Sequence, residues 1–155
     1  MELRIEGGEP RFPVEETSFQ HTFKGKSLSN ALWYLDWDPL NIEATFSGSV
    51  RLYLNSDRPD FITKFQSSDK FTLQMVSHDI VSQMVEHIIG DTDFQNNAQN
   101  YELDSVGGHI YYWITTTFGI QPIKPLYENM VQRPSQFRSA LLAMTSVNLE
   151  TYSDY

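Results

Sequence analysis

The sequence predicts an α+β fold: a single two-layer domain over residues 1–155, with a mainly antiparallel sheet of N-terminal hairpins and helices packed on one face. Stretches that alternate apolar and polar crowd the first half of the chain, and patterns of helical period fill the end of it. The length of 155 residues suits one domain. A chain of this size buries roughly 68–70% of the surface it exposes when unfolded, so it needs no disulfide or structural metal. It also contains no cysteine, which excludes disulfides, thiolate nucleophiles, thiolate-ligated iron–sulfur clusters and Cys-type zinc sites.

The segment through Glu16 carries GGEPRFPVEE and reads as a mobile, loop-like end, as does the tail over 150–155. SFQHTF alternates, placing Phe19, His21 and Phe23 on one face of a strand, with His21 a hydrogen-bonded core histidine. LWYLDW alternates as well: Leu32, Tyr34 and Asp36 point one way, and Trp33, Leu35 and Trp37 the other. Pro39 ends that strand, since it cannot donate to a ladder. NIEATFSGSVRLYLN reads as a hairpin, with Phe46 opposite Val50, Ala44 opposite Leu52, Thr45 facing Arg51, and Ser47, Gly48 and Ser49 as the loop.

SDRPDFITKFQ predicts a short helix capped by Ser56 or Asp57, with Pro59 in its first turn and Phe61, Ile62 and Phe65 as its apolar stripe. KFTLQMV alternates as a strand. SHDIVSQMVEHIIG then predicts a helix with Ser77 as N-cap, Gly90 as terminator and Ile80, Val81, Met84, Val85 and Ile88 buried. GDTDFQNNAQNYELD reads as a polar loop. HIYYWITTTF favours a strand by its β-branched and aromatic content, although Val106, Ile110, Ile114 and Phe118 also carry helical spacing. RPSQFRSALLAMTSVNL predicts the last helix, with Pro134 near its start and Phe137, Leu141 and Met144 inward.

The net charge is −9, from 20 acidic against 11 basic residues. No basic footprint is present to displace phosphate counterions, which argues against direct nucleic-acid binding. Between Lys70 and Lys124 there is no Lys or Arg, while Asp79, Glu86, Asp91, Asp93, Glu102 and Asp104 fall in that interval. Such a segment attracts a basic partner or a cation. The longest stretch without a charged residue, Ser105 to Ile123, contains three glycines, a histidine, three threonines, a glutamine and a proline, which argue against a membrane span. The N-terminus lacks the basic and apolar regions of a signal peptide. With no cysteine, this fits a cytoplasmic protein, whether free or carried in a particle.

Candidate chemistry is sparse. On a strand Asp36 and Asp38 project to the same face, about 6–7 Å apart, a separation used by carboxylate pairs in glycoside hydrolysis. Trp33 and Trp37 would offer sugar-stacking surfaces but project to the opposite face. His78 and His87 are nine residues apart, on opposite sides of a helix, and form no chelate. Asp79 and Glu86 share a solvated face. Gly107 and Gly108 before His109 allow either a close ligand approach or a tight turn. DTDFQNN alternates acids as calcium loops do but lacks the central glycine and the closing glutamate. No zinc motif, phosphate loop, dinucleotide fingerprint or nucleophile elbow is present, so no metal and no cofactor is expected.

These readings point to a non-catalytic protein-interaction module, either a structural subunit of a larger assembly or an acidic protein that binds a basic partner. Its candidate contact residues are the acids Asp91, Asp93, Glu102 and Asp104, with the aromatic anchors Tyr111, Trp113, Tyr152 and Tyr155. A small carbohydrate-active hydrolase using Asp36 and Asp38 is the alternative. A nucleic-acid mimic with rows of carboxylates is the third reading.

Overall fold

In the computed structural model, which describes residues 2–4, 12–146 and 150–152, strands lead and helices follow. The order is β1 (Glu2–Arg4), β2 (Phe12–Thr17), α1 (Phe19–Thr22), β3 (Trp33–Asp36), α2 (Phe46–Ser49), β4 (Arg51–Asn55), α3 (Pro59–Gln66), α4 (Lys70–Ile88), α5 (Thr92–Asn97), α6 (Val106–Phe118), α7 (Ile123–Gln132), α8 (Pro134–Met144) and β5 (Glu150–Tyr152). The sheet order is β3-β4-β2-β1-β5. Its pairings are antiparallel except for β2 with β4, which run parallel. The α+β class with a mainly antiparallel sheet is therefore as expected, although the sheet is mixed.

Period-2 alternation separates the two faces of the sheet. Val14, Leu35, Leu52 and Leu54 join the helical residues in one hydrophobic cluster. The other face carries Glu15, Tyr34, Asp36, Arg51 and Tyr53. There Tyr34 and Tyr53 stack at 6.2 Å, and Phe23 meets Tyr34 edge-on at 5.5 Å. Arg51 lies across from Asp36 and binds Glu15 at 2.7 Å.

Several expected elements are corrected. The opening stretch is not all loop, since it supplies β1 and the inner strand β2. The expected SFQHTF strand is instead the single turn α1, capped by the Ser18 hydroxyl, which accepts from the His21 N–H. Only Phe19 of that turn is buried, and His21 is exposed rather than a core histidine. The hairpin across Ser47–Gly48–Ser49 does not form. Its second arm is β4, but Thr45 leads into the turn α2, and β4 pairs with β3 and β2. The backbone of Ile42 and Ala44 is used elsewhere: their carbonyls accept from Gly107 N and Val106 N at 2.7 and 2.9 Å.

The expected strand over Lys70–Val76 is the first third of α4, which therefore starts at Asp69 and not at Ser77. The Asp69 carboxylate accepts from Thr72 N and Thr72 Oγ1 at 3.0 and 2.6 Å. Leu73, Val76, Ser77, Ile80, Val81, Met84 and Val85 follow helical spacing into the core. The alternation of Phe71, Leu73 and Met75 was misleading, because Phe71 is 74% and Met75 53% exposed. The polar loop after Gly90 holds α5, begun by Asp91, whose carboxylate accepts from Phe94 N at 2.9 Å.

The expected strand over His109–Phe118 lies within helix α6. Val106, His109, Ile110, Trp113 and Ile114 are buried at helical spacing, which outweighs β-propensity once one face meets a core. Gly119, at φ 83°, ends the helix where a side chain would be strained. The structure agrees with the expectations for β3, α3 and α8. Phe65, Phe137 and Leu141 are buried as expected, and Pro59 and Pro134 open their helices. The residue at the N-cap of α3 is Arg58; Asp57 instead accepts from Ser18 Oγ and Gln20 N, tying α1 to the approach to α3.

Candidate functional site

The start of α6 organises one depression in the surface. Ser105 caps this helix. Its Oγ accepts from Gly108 N at 2.9 Å and donates to Glu102 O at 2.6 Å. Val106 N and Gly107 N donate to the 42–44 segment, and Phe46 N donates back to Asp104 O at 2.8 Å. The first donors of α6 are thus all used within the fold, and this helix end offers no open anion site.

The two glycines that precede His109 have a structural explanation. A Cβ at Gly107 would stand 2.7 Å from Tyr101 Cδ1, and one at Gly108 would stand 2.0 Å from the Glu102 carbonyl oxygen. Glycine is required because the preceding loop rests directly on the helix. Tyr101 also packs on Phe94 of α5 at 5.9 Å. Through these contacts α5, the 42–45 segment and the start of α6 meet around one hollow.

That hollow has a volume of about 660 Å³. It is lined by the acids Glu43, Asp93 and Glu102, the amides Asn97 and Asn100, and Tyr101 and Ser105. Asn97 Nδ2 donates to Asp93 O at 3.0 Å, which leaves its side-chain oxygen as an acceptor. Burial pushes the Tyr101 phenol above its ordinary value of 10.0, and the negative charges of Asp91, Glu43 and Asp93 push it further. The phenol therefore stays protonated. Among the described residues no group of three His, Asp or Glu side chains is placed to hold a metal ion. A concave set of carboxylate and amide acceptors suits a cationic group that carries its own N–H donors.

Of the acids expected to form a contact surface, Asp93 and Glu102 line the hollow and Asp91 stands behind it as the cap of α5. Asp104 is exposed nearby in sequence but is not part of the lining. Glu43 was missed. The sequence placed it in a hairpin, and only the long-range pairing of 42–46 with 104–107 brings it here. The aromatic anchors fare differently. Trp113 is a core residue, 2% exposed and edge-on to Phe46 at 5.7 Å. Tyr111 is half-buried, and Tyr112 is the exposed ring of the three at 41%. Tyr152 lies in β5 opposite Glu2. Its side chain, and all of Tyr155, lie outside the described residues.

Asp36 and Asp38 are not among the residues that line this hollow. Asp36 is exposed on the open face of the sheet, across from Arg51. The Asp38 carboxylate accepts from Leu40 N at 2.9 Å and its carbonyl from Asn41 N at 3.1 Å, so it builds the turn that follows β3. Trp33 and Trp37 point the other way and pack against the core. His109 is buried beside Phe46, with ring centroids 4.9 Å apart.

No protein-family model, no curated protein and no solved structure matches this chain. Among the described residues no helix is long and apolar enough to cross a membrane.

Proposed function

We propose that this chain is a non-catalytic interaction module of a larger cytoplasmic or particle-borne assembly, and that it receives a basic side chain of a protein partner in the hollow beneath Glu43, Asp93 and Glu102. The observation that carries this reading is that acidic residues from three separate segments, Glu43, Asp93 and Glu102, line one hollow. An Arg fork or a Lys ammonium supplies the donors these acceptors lack, and charge-assisted hydrogen bonds are the strong ones. The overall charge of −9 adds long-range attraction for such a partner. Three acids around one hollow favour a receptor for a side chain over a phosphate mimic, which needs carboxylates in a row.

The test is the association rate of the triple variant Glu43→Gln, Asp93→Asn, Glu102→Gln with a partner recovered from the native source at low salt. Each substitution keeps shape and removes charge. Association slows by about tenfold or more and its salt dependence flattens. Unchanged association in the triple variant overturns the reading.

A further inference from the structure

We propose that a second groove, formed by α4, Trp33 and Arg138, binds a neutral saccharide of one or two pyranose rings. The groove has a volume of about 600 Å³ and shares no lining residue with the acidic hollow. One stripe of α4, running through Met75, Asp79, Gln83 and Glu86, forms its base, with Trp33 of β3 and Arg138 of α8 also lining it.

The polar groups of this groove are held in place. The Trp33 ring stacks on Phe61 at 5.5 Å, and its Nε1 donates to Asp79 Oδ2 at 2.8 Å. Gln83 Nε2 donates to the same oxygen at 3.2 Å. Arg138 Nε donates to Glu86 Oε1 at 2.9 Å. Among the described residues these bonds leave Asp79 Oδ1, Gln83 Oε1 and Glu86 Oε2 without a donor, and Arg138 Nη1 and Nη2 without an acceptor. Fixed acceptors and fixed donors thus stand beside an indole and a thioether side chain.

A pyranose presents the matching groups. Its hydroxyls both donate and accept, and its C–H face is apolar. Glu86 and Arg138 already neutralise each other and Asp79 already accepts two N–H donors, so what the groove still offers is lone pairs and N–H groups that hydroxyls match. Asp79 and Glu86 are seven residues apart, about 10 Å along the helix axis, which spans one to two sugar rings. The Ser82 hydroxyl is hydrogen-bonded to the His78 ring, 3.2 and 3.4 Å from its two nitrogens, and closes the side of the groove between Asp79 and Glu86.

The experiment is a ¹⁵N NMR titration of the whole chain with methyl α-glucopyranoside, methyl β-galactopyranoside, N-acetylglucosamine and cellobiose, with glycerol as control. At least one sugar gives saturable shifts of the Trp33 indole N–H and of the amides from Asp79 to Glu86, and leaves Tyr101 and Glu102 unmoved. Arg138→Met, at an exposed position, weakens that sugar by about tenfold through loss of charge-assisted hydrogen bonds without lowering the unfolding midpoint. The absence of saturable shifts with every sugar overturns the proposal. Equal shifts with glycerol, or full affinity in Arg138→Met, overturn it as well.

Discussion

The ring of Tyr101 rests against the backbone of Gly107, so closely that a Cβ there would lie 2.7 Å from Cδ1 and 2.8 Å from Cγ. Both are atoms at the base of the ring, so a swing of its far end does not relieve the clash. Gly107→Ala therefore displaces Tyr101, a lining residue of the acidic hollow, and weakens binding of a basic ligand while the helix persists. At Gly108 the obstacle is the Glu102 carbonyl, which belongs to the backbone. Gly108→Ala is the more damaging change, at or beyond the upper end of the roughly 1–3 kcal/mol cost of overpacking. Denaturant unfolding of the two variants ranks them.

Tyr101 also reports on the acids around it. Its phenol is pushed up by burial first and then by Asp91, Glu43 and Asp93. The folded chain holds this proton more tightly than the unfolded chain does. The resulting stability is complete below pH 10 and is lost as pH rises through the folded value. Spectrophotometric titration of Glu43→Gln, Asp93→Asn shows one tyrosine ionising at lower pH than in the parent chain. An unchanged tyrosine titration contradicts the assigned surroundings of this ring.

Acid acts through a different residue. Burial lowers the pKa of His78 below its ordinary 6.5; Asp79 and Glu86 oppose that shift, and Arg138 adds to it. The unfolded chain takes up this proton first. The contribution of His78 is complete above pH 6.5 and is lost as pH falls through the folded value. In thermal unfolding across this range, His78→Gln loses the part of the acid sensitivity that begins just below pH 6.5.

Asn55 holds the sheet to the segments beside it. Its Oδ1 accepts from Phe19 N and Asp57 N at 3.2 and 3.0 Å, and its Nδ2 donates to Ser29 O and Ala31 O at 3.3 and 2.8 Å. The residue is fully buried. Asn55→Ala strands two donors and two acceptors, at about 1–3 kcal/mol for each group that water fails to reach. Asn55→Leu fills the volume but restores none of the bonds, so both variants lose several kcal/mol in denaturant unfolding.

Legibility in the sequence followed the range of the deciding interaction. Helices α3 and α8 were readable because Pro59 and Pro134 mark their starts and the apolar spacing agrees with a single period. Strand β3 was readable because Leu35 is buried between the exposed Tyr34 and Asp36. Lys70–Val76 was not, since Phe71, Leu73 and Met75 fit a strand as well as Leu73, Val76 and Ser77 fit a helix, and only the core settles which residues are buried. The aromatic and threonine content of α6 pointed to strand for the same reason. The hollow was half legible: Asp93 and Glu102 stood out in a base-free segment, whereas Glu43 arrives through backbone bonds from Ile42 and Ala44 to α6 that no local pattern encodes.

The most direct test of the interaction reading is a ¹⁵N NMR titration with a short Arg-containing peptide at low and at high salt, repeated on the Glu43→Gln, Asp93→Asn, Glu102→Gln variant. The account predicts saturable shifts confined to Tyr101, Glu102, Ser105 and the side-chain amides of Asn97 and Asn100, weakened by salt and abolished in the variant. Shifts spread evenly over the acidic surface, or shifts that persist in the variant, would contradict it.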